Sequence, residues 1–399
     1  MSEKKQINRT FLIILLGILA AIGPFTIDMY LPGFKQIATE FNTVEKQVAF
    51  TLTSYFVGIA IGQLIYGPLV DKYGRKKPLL AGLGIYIIAA LGCAIAPSIN
   101  TLIEMRLLQA LGGCVGMVAS NAIISDVYEK DRRARAFSLI MLVMGIAPVI
   151  APSVGSLFLE MGSWRMIFFF LAGFASLVAL LIGILLPETS QYMHQNKLKV
   201  REITSNYLAI LKNRTFLFYT LAGSIAMSIL FAYISSASYV FQTVYGLDKN
   251  TFAGIFAINA CGLIIGNTLN GYLVGKVNYM KIAKVSSVAI SITSFVVMIA
   301  FYFHENLHYH FAVAGLFSIL FLVNFINPNA TAASLAPFTV TAGAASALGG
   351  AIRMGVGAVV AAAIGVLQGE SPLTMFTVIA VLSALVMLML LLAPQVKKK

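Results

Sequence analysis

The stretch Gly67-Pro68-Leu69-Val70-Asp71-Lys72-Tyr73-Gly74-Arg75-Lys76-Lys77-Pro78 is a short basic turn between two long apolar runs, near residues 48–70 and 79–97. A helix needs about 20 apolar residues to cross a bilayer. Both runs meet that length, and the glycines allow a tight turn and close helix contact. Ten further runs of the same kind lie outward from this pair, near 11–31, 101–125, 137–158, 165–186, 215–243, 252–275, 282–303, 309–333, 343–368 and 372–394. The chain reads as an all-α integral membrane protein with twelve transmembrane helices. The first run is too long for a signal-peptide core. It ends in Leu31-Pro32 without a small-residue cleavage site, so it is expected to stay.

Composition agrees. Of 399 residues, 59% are hydrophobic and 11% charged, with a mean hydropathy of +0.88. A soluble protein carries roughly 25% charge, so this chain cannot cover a water-facing surface. That excludes a cytosolic enzyme, a DNA-binding domain and a secreted disulfide scaffold. Cys93, Cys114 and Cys261 lie in apolar runs, at no metal-ligand or disulfide spacing. The net charge is +13, and 22 of the 28 Lys and Arg fall on one side of the implied membrane. They include Lys72, Arg75, Lys76 and Lys77, then Lys130, Arg132, Arg133 and Arg135, and Lys397–Lys399. The other side has Lys35, Lys46, Arg165 and Lys249. By the positive-inside rule both termini are expected in the cytoplasm. The basic charge thus reports topology, and no nucleic-acid partner is expected.

The longest segment outside the membrane, roughly 187–214, is too short to fold as an ATPase or receptor domain. It divides the chain into an N-terminal six-helix half (1–189), a cytoplasmic linker (190–214) and a C-terminal six-helix half (215–399). The halves are weakly similar. Gly67 to Lys72 meets Gly271 to Lys276, and Gly145, Ala151 and Gly155 meet Gly355, Ala361 and Gly365, at near-equal offsets. Two six-span repeats with a site between them near the midplane are the architecture of a secondary transporter.

Charged and polar residues inside spans mark the candidate site, because such groups are costly in hydrocarbon. Span 1 ends Phe25-Thr26-Ile27-Asp28-Met29-Tyr30-Leu31-Pro32. Asp28 lies about 25 Å along the helix from residue 11. Span 4 carries Arg106 and, one turn on, Gln109. Asp28 and Arg106 fall at similar depth, where an acid and a base can pair or trade a proton. Arg353 sits near mid-membrane in span 11 among Gly349, Gly350, Gly355 and Gly357. Asn267 and Asn270 in span 8, and Asn324 and Asn327 in span 10, stand at i,i+3 spacing; they either line a cavity or glue helices. Span 5 contains Gly145, Pro148, Pro152 and Gly155, a bent helix with small packing residues.

One pattern is a decoy. His304-Glu305-Asn306-Leu307-His308 fits H-E-x-x-H, but it falls in a short loop between spans 9 and 10. Zinc catalysis needs both histidines on one helix and a third ligand, and no metal site is expected.

The turn Gly67–Pro78, Arg106-x-x-Gln109 and Gly145-x-x-Pro148-x-x-x-Pro152-x-x-Gly155 resemble signature motifs of the major facilitator superfamily. With Asp28-Met29-Tyr30-Leu31-Pro32, Trp164-Arg165, Pro187-Glu188-Thr189 and Ala342–Arg353, they are similar to the Bcr/CflA-type drug:proton antiporters. Ala110 stands where the span 4 motif usually has glycine. The resemblance implies a proton-coupled, multi-pass exporter in the bacterial inner membrane that works by alternating access. Its cargo would be bicyclomycin- or sulfonamide-like compounds, with small amino acids such as cysteine also in range. A facilitative or proton-coupled importer of a small metabolite is the alternative. Protons are the implied coupling ion, no cofactor is expected, and a monomer in the lipid bilayer is implied.

Roles follow as expectations. Asp28 and Arg106 would couple to protons. Tyr30, Gln109, Arg353, Asn267, Asn270, Asn324 and Asn327 would line the substrate cavity. Gly67, Asp71, Gly74, Arg75 and Asp126 would gate, with Asp71 against the start of span 11 near Thr341–Gly343 and Arg75 against Asp126. Gly145, Pro148, Pro152 and Gly155 would form the antiporter motif. A cavity holding Arg106 and Arg353 against one acid would favour neutral, zwitterionic or weakly anionic cargo over quaternary cations.

Overall fold

A computed structural model describes residues 9–128, 130–190, 200–304, 307–338, 341–367 and 371–393. Twelve helical spans cross it: Phe11–Glu40, Glu45–Tyr73, Lys76–Ala94, Ile99–Val127, Leu142–Glu160, Arg165–Leu185, Arg214–Val244, Lys249–Val274, Tyr279–Phe303, Tyr309–Leu335, Ala342–Leu367 and Leu373–Leu391. The helix of span 5 starts further back, at Lys130. A separate helix, Val200–Leu211, occupies the linker.

Four spans are not simple rods. Span 1 is helical from Arg9 to Asp28, turns at Leu31–Gly33, and continues as Phe34–Glu40. Pro32, which has no N–H to give a helix, sits in that turn, and the extra short helix carries the span beyond the 11–31 expected from hydropathy. Span 4 is interrupted at Cys114, directly after Gly112-Gly113. Span 7 closes on a wide turn, Tyr239–Val244. Span 10 breaks between Val323 and Asn327, just before Pro328.

Polar side chains close the helix ends. Ser98, Asn213, Asp248 and Asn278 accept from backbone N–H groups at the starts of spans 4, 7, 8 and 9. Asp248 accepts from the Thr251 side chain and from two N–H groups, which hold its carboxyl below the usual range. At span 3 the cap comes from far along the chain. Glu188 accepts from the N–H groups of Arg75 (2.8 Å) and Lys76 (3.1 Å), where an anion complements the helix dipole. Gly74 enters that turn at φ +84°, a region that favours glycine.

Spans 1–6 pack mainly on one another, as do spans 7–12. The two groups meet along two seams, span 2 against span 11 and span 5 against span 8. These four spans carry the internal similarity read in the sequence: span 2 resembles span 8 and span 5 resembles span 11, so each seam joins one member of each similar pair. Gly67 lies opposite Ala347 in the first seam and Gly145 opposite Ile264 in the second. Gly155 has a different neighbour: a Cβ there would fall 1.7 Å from the Met29 carbonyl oxygen of span 1. Large apolar side chains such as Ile88, Ile184, Val285 and Val359 are exposed around the outside, as a lipid-facing belt requires.

Candidate functional site

A small cavity of about 40 Å³ lies between the two groups of spans. Span 1 contributes Asp28 and span 5 contributes Pro148; span 7 contributes Leu230, Tyr233 and Ile234; span 8 contributes Phe256, Ala260 and Leu263. Asp28 is 3% exposed, and its Oδ1 has no hydrogen-bond partner. Tyr233 stacks on Phe256 with ring centroids 5.3 Å apart, and its hydroxyl accepts from Asn259 Nδ2 at 3.1 Å. The wall is therefore aromatic and aliphatic, with one carboxyl set into it. Pro148 lines the cavity, so the span 5 motif reaches the site as well as the seam. Pro152 lies one turn on, buried in the same uninterrupted helix.

Arg106 and Asp28 do not form the expected pair. Arg106 is fully buried inside spans 1–6. One guanidinium nitrogen, Nη1, donates to the Thr26 carbonyl (3.1 Å) and to Gln109 Oε1 (2.8 Å). The plane is held between Tyr30 and Tyr55, at 4.5 and 4.3 Å from their ring centroids. Tyr30 in turn bonds Thr51 Oγ1 at 2.6 Å and packs on Phe34 and Phe168. The similar depth expected of residues 28 and 106 holds, since Arg106 reaches span 1 two residues before Asp28. The aromatic cage takes the guanidinium instead of the carboxylate. Tyr30 and Gln109, expected in the cavity wall, are both 0% exposed and belong to this cage.

Arg353 is half-buried one helix away from the cavity wall. Its Nη1 donates to Asn327 Oδ1 (3.2 Å) and to Thr331 Oγ1, tying span 11 to span 10. Of the four asparagines, two act as helix ties. Asn329 Nδ2 donates to Asn270 Oδ1 at 2.9 Å, joining spans 10 and 8, and Asn327 accepts from Arg353. Asn324 donates to the Leu320 carbonyl within its own span. Asn267 is exposed one turn beyond Leu263, on the face of span 8 that lines the cavity. None of Arg353, Asn270, Asn324 and Asn327 lines the cavity around Asp28.

At the end of the bundle that carries loop 2–3, here the basic end, Arg75 meets Asp126 as expected. Arg75 Nε lies 2.9 Å from Asp126 Oδ2. Asp126 also accepts from Thr189 Oγ1 (3.1 Å), so Glu188 and Thr189 bind the end of span 6 to loop 2–3. Burial by itself would lower the Arg75 pKa, but Asp126 and Asp71 raise it overall. Asp71 departs from expectation. It pairs with Arg75 Nη1 (2.9 Å), four residues on, and its side chain is 67% exposed, not docked on Thr341–Gly343.

Among the described residues, the side-chain bonds that cross between spans 1–6 and spans 7–12 sit at the opposite, far end. Glu160 accepts from Asn250 Nδ2 (3.0 Å) and lies 4.0 Å from Lys249 Nζ. Ser156 donates to the Lys249 carbonyl (3.2 Å), and Thr243 donates to Glu45. These bonds tie the two groups at the far end, while at the basic end Asp71 bonds only Arg75 of its own turn. In the H-E-x-x-H pattern His308 caps span 10 and contacts His310, and Glu305 and Asn306 lie outside the described residues. Among the described residues no group of three His, Cys, Asp or Glu is placed to hold a metal ion.

The model for the Major Facilitator Superfamily matches residues 16–361. The chain is 32% identical over 361 residues to an MFS-type transporter, YdgK, of Bacillus subtilis (strain 168), covering 90% of this chain and 89% of that one. It is 32% identical over 358 residues to a bicyclomycin resistance protein homolog of Haemophilus influenzae, covering 89% of each. It is 31% identical over 243 residues to the multidrug resistance protein MdtL of Escherichia coli O17:K52:H18, 61% of each chain. Among solved structures, the chain superposes on a D-xylose-proton symporter with a TM-score of 0.74 at 15% identity, covering 96% of this chain and 97% of the other. It superposes on a bacterial homolog of the human lysosomal transporter Spinster, in an inward-facing and occupied conformation, with a TM-score of 0.67 at 15% identity, covering 91% and 82%.

Proposed function

The chain belongs to the Major Facilitator Superfamily and is a multi-pass membrane transporter rather than an enzyme, and from that premise we propose that it exports small drug-like compounds in exchange for protons. The observation that carries this reading is Asp28: a carboxyl with an unpartnered oxygen, almost fully buried, in the wall of a cavity that both groups of spans build. A group that alternately meets a proton and a cargo must stand where both pass, and a buried, unpartnered carboxyl in the cavity wall supports Asp28 in that role. An antiporter needs the two bound in turn, so that neither crosses without the other. The drug-resistance names of two relatives support export, and bicyclomycin- or sulfonamide-like compounds are the first cargo to try.

On this reading the protein sits in the bacterial inner membrane with both termini in the cytoplasm and works as a monomer. The basic end is then the cytoplasmic end. On that orientation the far-end bonds of Glu160 and Glu45 support an inward-facing reading of this arrangement. Cargo enters from the cytoplasm, displaces the proton on Asp28, and leaves after the far end opens.

Everted vesicles acidified inside by respiration test this directly. Adding bicyclomycin should release lumenal protons in vesicles carrying the native chain and not in those carrying Asp28→Asn. Uphill accumulation of a neutral cargo by Asp28→Asn, driven by the proton gradient, would overturn the assignment.

A further inference from the structure

Span 2 contains an orphan acceptor that the sequence creates. Pro68 lies inside the helix Glu45–Tyr73 and has no N–H. The carbonyl four residues earlier, on Leu64, therefore loses its usual helix partner. In the structure that carbonyl is taken by a residue from outside the span: Tyr207 Oη, on the linker helix Val200–Leu211, donates to Leu64 O at 3.3 Å. Tyr207 and the Leu64 side chain also pack at the margin of a small apolar cluster. Ile210 is buried in that cluster with Phe216 of span 7 and Ala345 and Leu348 of span 11, and Leu211 packs against it. The linker helix thus touches span 2 of the first half and spans 7 and 11 of the second. Burial raises the Tyr207 pKa, and the charge of Asp71 adds to that.

Alternating access requires the halves to rock against each other. A helix resting on both cannot keep both contacts through that motion. The contact with span 2 is one hydrogen bond and the partly buried Leu64 side chain at the cluster's margin; the contact with spans 7 and 11 is the cluster's four buried side chains. The first is the weaker, its hydrogen bond worth about 0.5–1.5 kcal/mol, and is the one that gives way. We propose that Tyr207 is a positioning residue: it latches the linker helix to the carbonyl freed by Pro68, and this latch favours the arrangement sealed at the far end. The latch rests on the fold and the family, not on the cargo or on proton coupling.

The test uses the full chain in nanodiscs and needs no cargo. Cysteines introduced as Glu160→Cys and Asn250→Cys, in a background with the three native cysteines replaced by serine or alanine, report far-end closure by their rate of disulfide formation. Tyr207→Phe should slow that rate about 2- to 10-fold, the factor of one hydrogen bond. It should also speed amide exchange over residues 200–211. Pro68→Ala restores an N–H at residue 68, so Leu64 O returns to its own helix and Tyr207 loses its acceptor. In that background Tyr207→Phe should have no further effect. Equal effects of Tyr207→Phe with and without Pro68→Ala would overturn the latch, as would an unchanged cross-linking rate in the single variant. If bicyclomycin export fails while the two substitutions remain coupled, the latch stands and the export reading falls.

Discussion

Arg106 reaches span 1 at the carbonyl of Thr26, two residues before Asp28, while Asp28 Oδ1 and the Arg106 Nε and Nη2 groups have no hydrogen-bond partner. The guanidinium lies between the rings of Tyr30 and Tyr55 and is closed off from the cavity. Each such contact is worth about 0.5–2 kcal/mol, and lysine lacks the planar fork that exploits two ring faces at once. Arg106→Lys should therefore lower the yield of folded protein and the maximal transport rate. The pH midpoint of transport should stay within about half a unit of the native one. A midpoint moved by a full unit, equivalent to about 1.4 kcal/mol, would mean that Arg106 acts on Asp28 after all.

Gly155 carries the tightest contact between spans 1 and 5. A methyl group there would meet the Met29 backbone at 1.7 Å, and no side-chain rotation relieves a clash with a carbonyl. Gly155→Ala should cost about 3 kcal/mol, the upper end for overpacking, and should also displace Asp28, which is the neighbour of Met29. Gly145→Ala meets only the Ile264 side chain, with Cγ1 at 3.3 Å and Cδ1 at 3.9 Å, and should be tolerated. Thermal unfolding in detergent ranks the two, and an equal loss for both would contradict the contact.

At the basic end the two aspartates differ in weight. Asp126 is 18% exposed, bonds Arg75 and Thr189, and helps join loop 2–3 to the end of span 6; Asp71 is 67% exposed and bonds one residue of its own turn. Loss of a hydrogen bond between charged groups costs about 1.5–3 kcal/mol, whereas an exposed ion pair is worth about 0–1 kcal/mol. Asp126→Asn should reduce stability clearly. Asp71→Asn should leave stability and substrate binding near native while slowing turnover, if Asp71 finds its partner only when the basic end closes. Binding measured by equilibrium dialysis beside a turnover assay separates the two effects, and binding lost together with turnover would refute the gating role.

The spans and their seams were legible because they depend on composition and on small residues, which sequence displays directly. Hydropathy located all twelve spans. The repeat pointed to spans 2, 5, 8 and 11, which prove to be the spans that touch. Arg75 with Asp126 was legible because both sit at fixed distances from span ends. The partners of Arg106 and Arg353 were not. Depth along a helix follows from residue number, but the direction a side chain faces depends on helix rotation, and only packing fixes that. Arg106 thus turned into an aromatic cage, and Arg353 turned toward Asn327 and Thr331. Tyr207 went unread although a signal existed. Proline inside a span frees a carbonyl, and an amphipathic linker helix with one tyrosine on its apolar face can supply the donor.

The charge of the cargo follows from where those arginines went. Two bases and one acid in the cavity would favour neutral to weakly anionic cargo, but the guanidinium of Arg106 is sealed away and Arg353 does not line the wall. What faces the space is Asp28, with Tyr233 and Phe256 beside it. A carboxylate near aromatic faces accommodates a protonated amine, because both the charge and the ring quadrupole attract a cation. An anion would meet repulsion from Asp28 and no base in the wall. In a panel of matched compounds, neutral and monocationic members should therefore be exported and anionic ones rejected, reversing the preference expected from residue depth alone. Asp28→Asn should weaken binding of the amine at least tenfold and change binding of the neutral compound by less than threefold. Competition binding to the purified chain measures both, and tight binding of the anion, lost in Arg353→Ala, would restore Arg353 to the site and overturn this cavity reading.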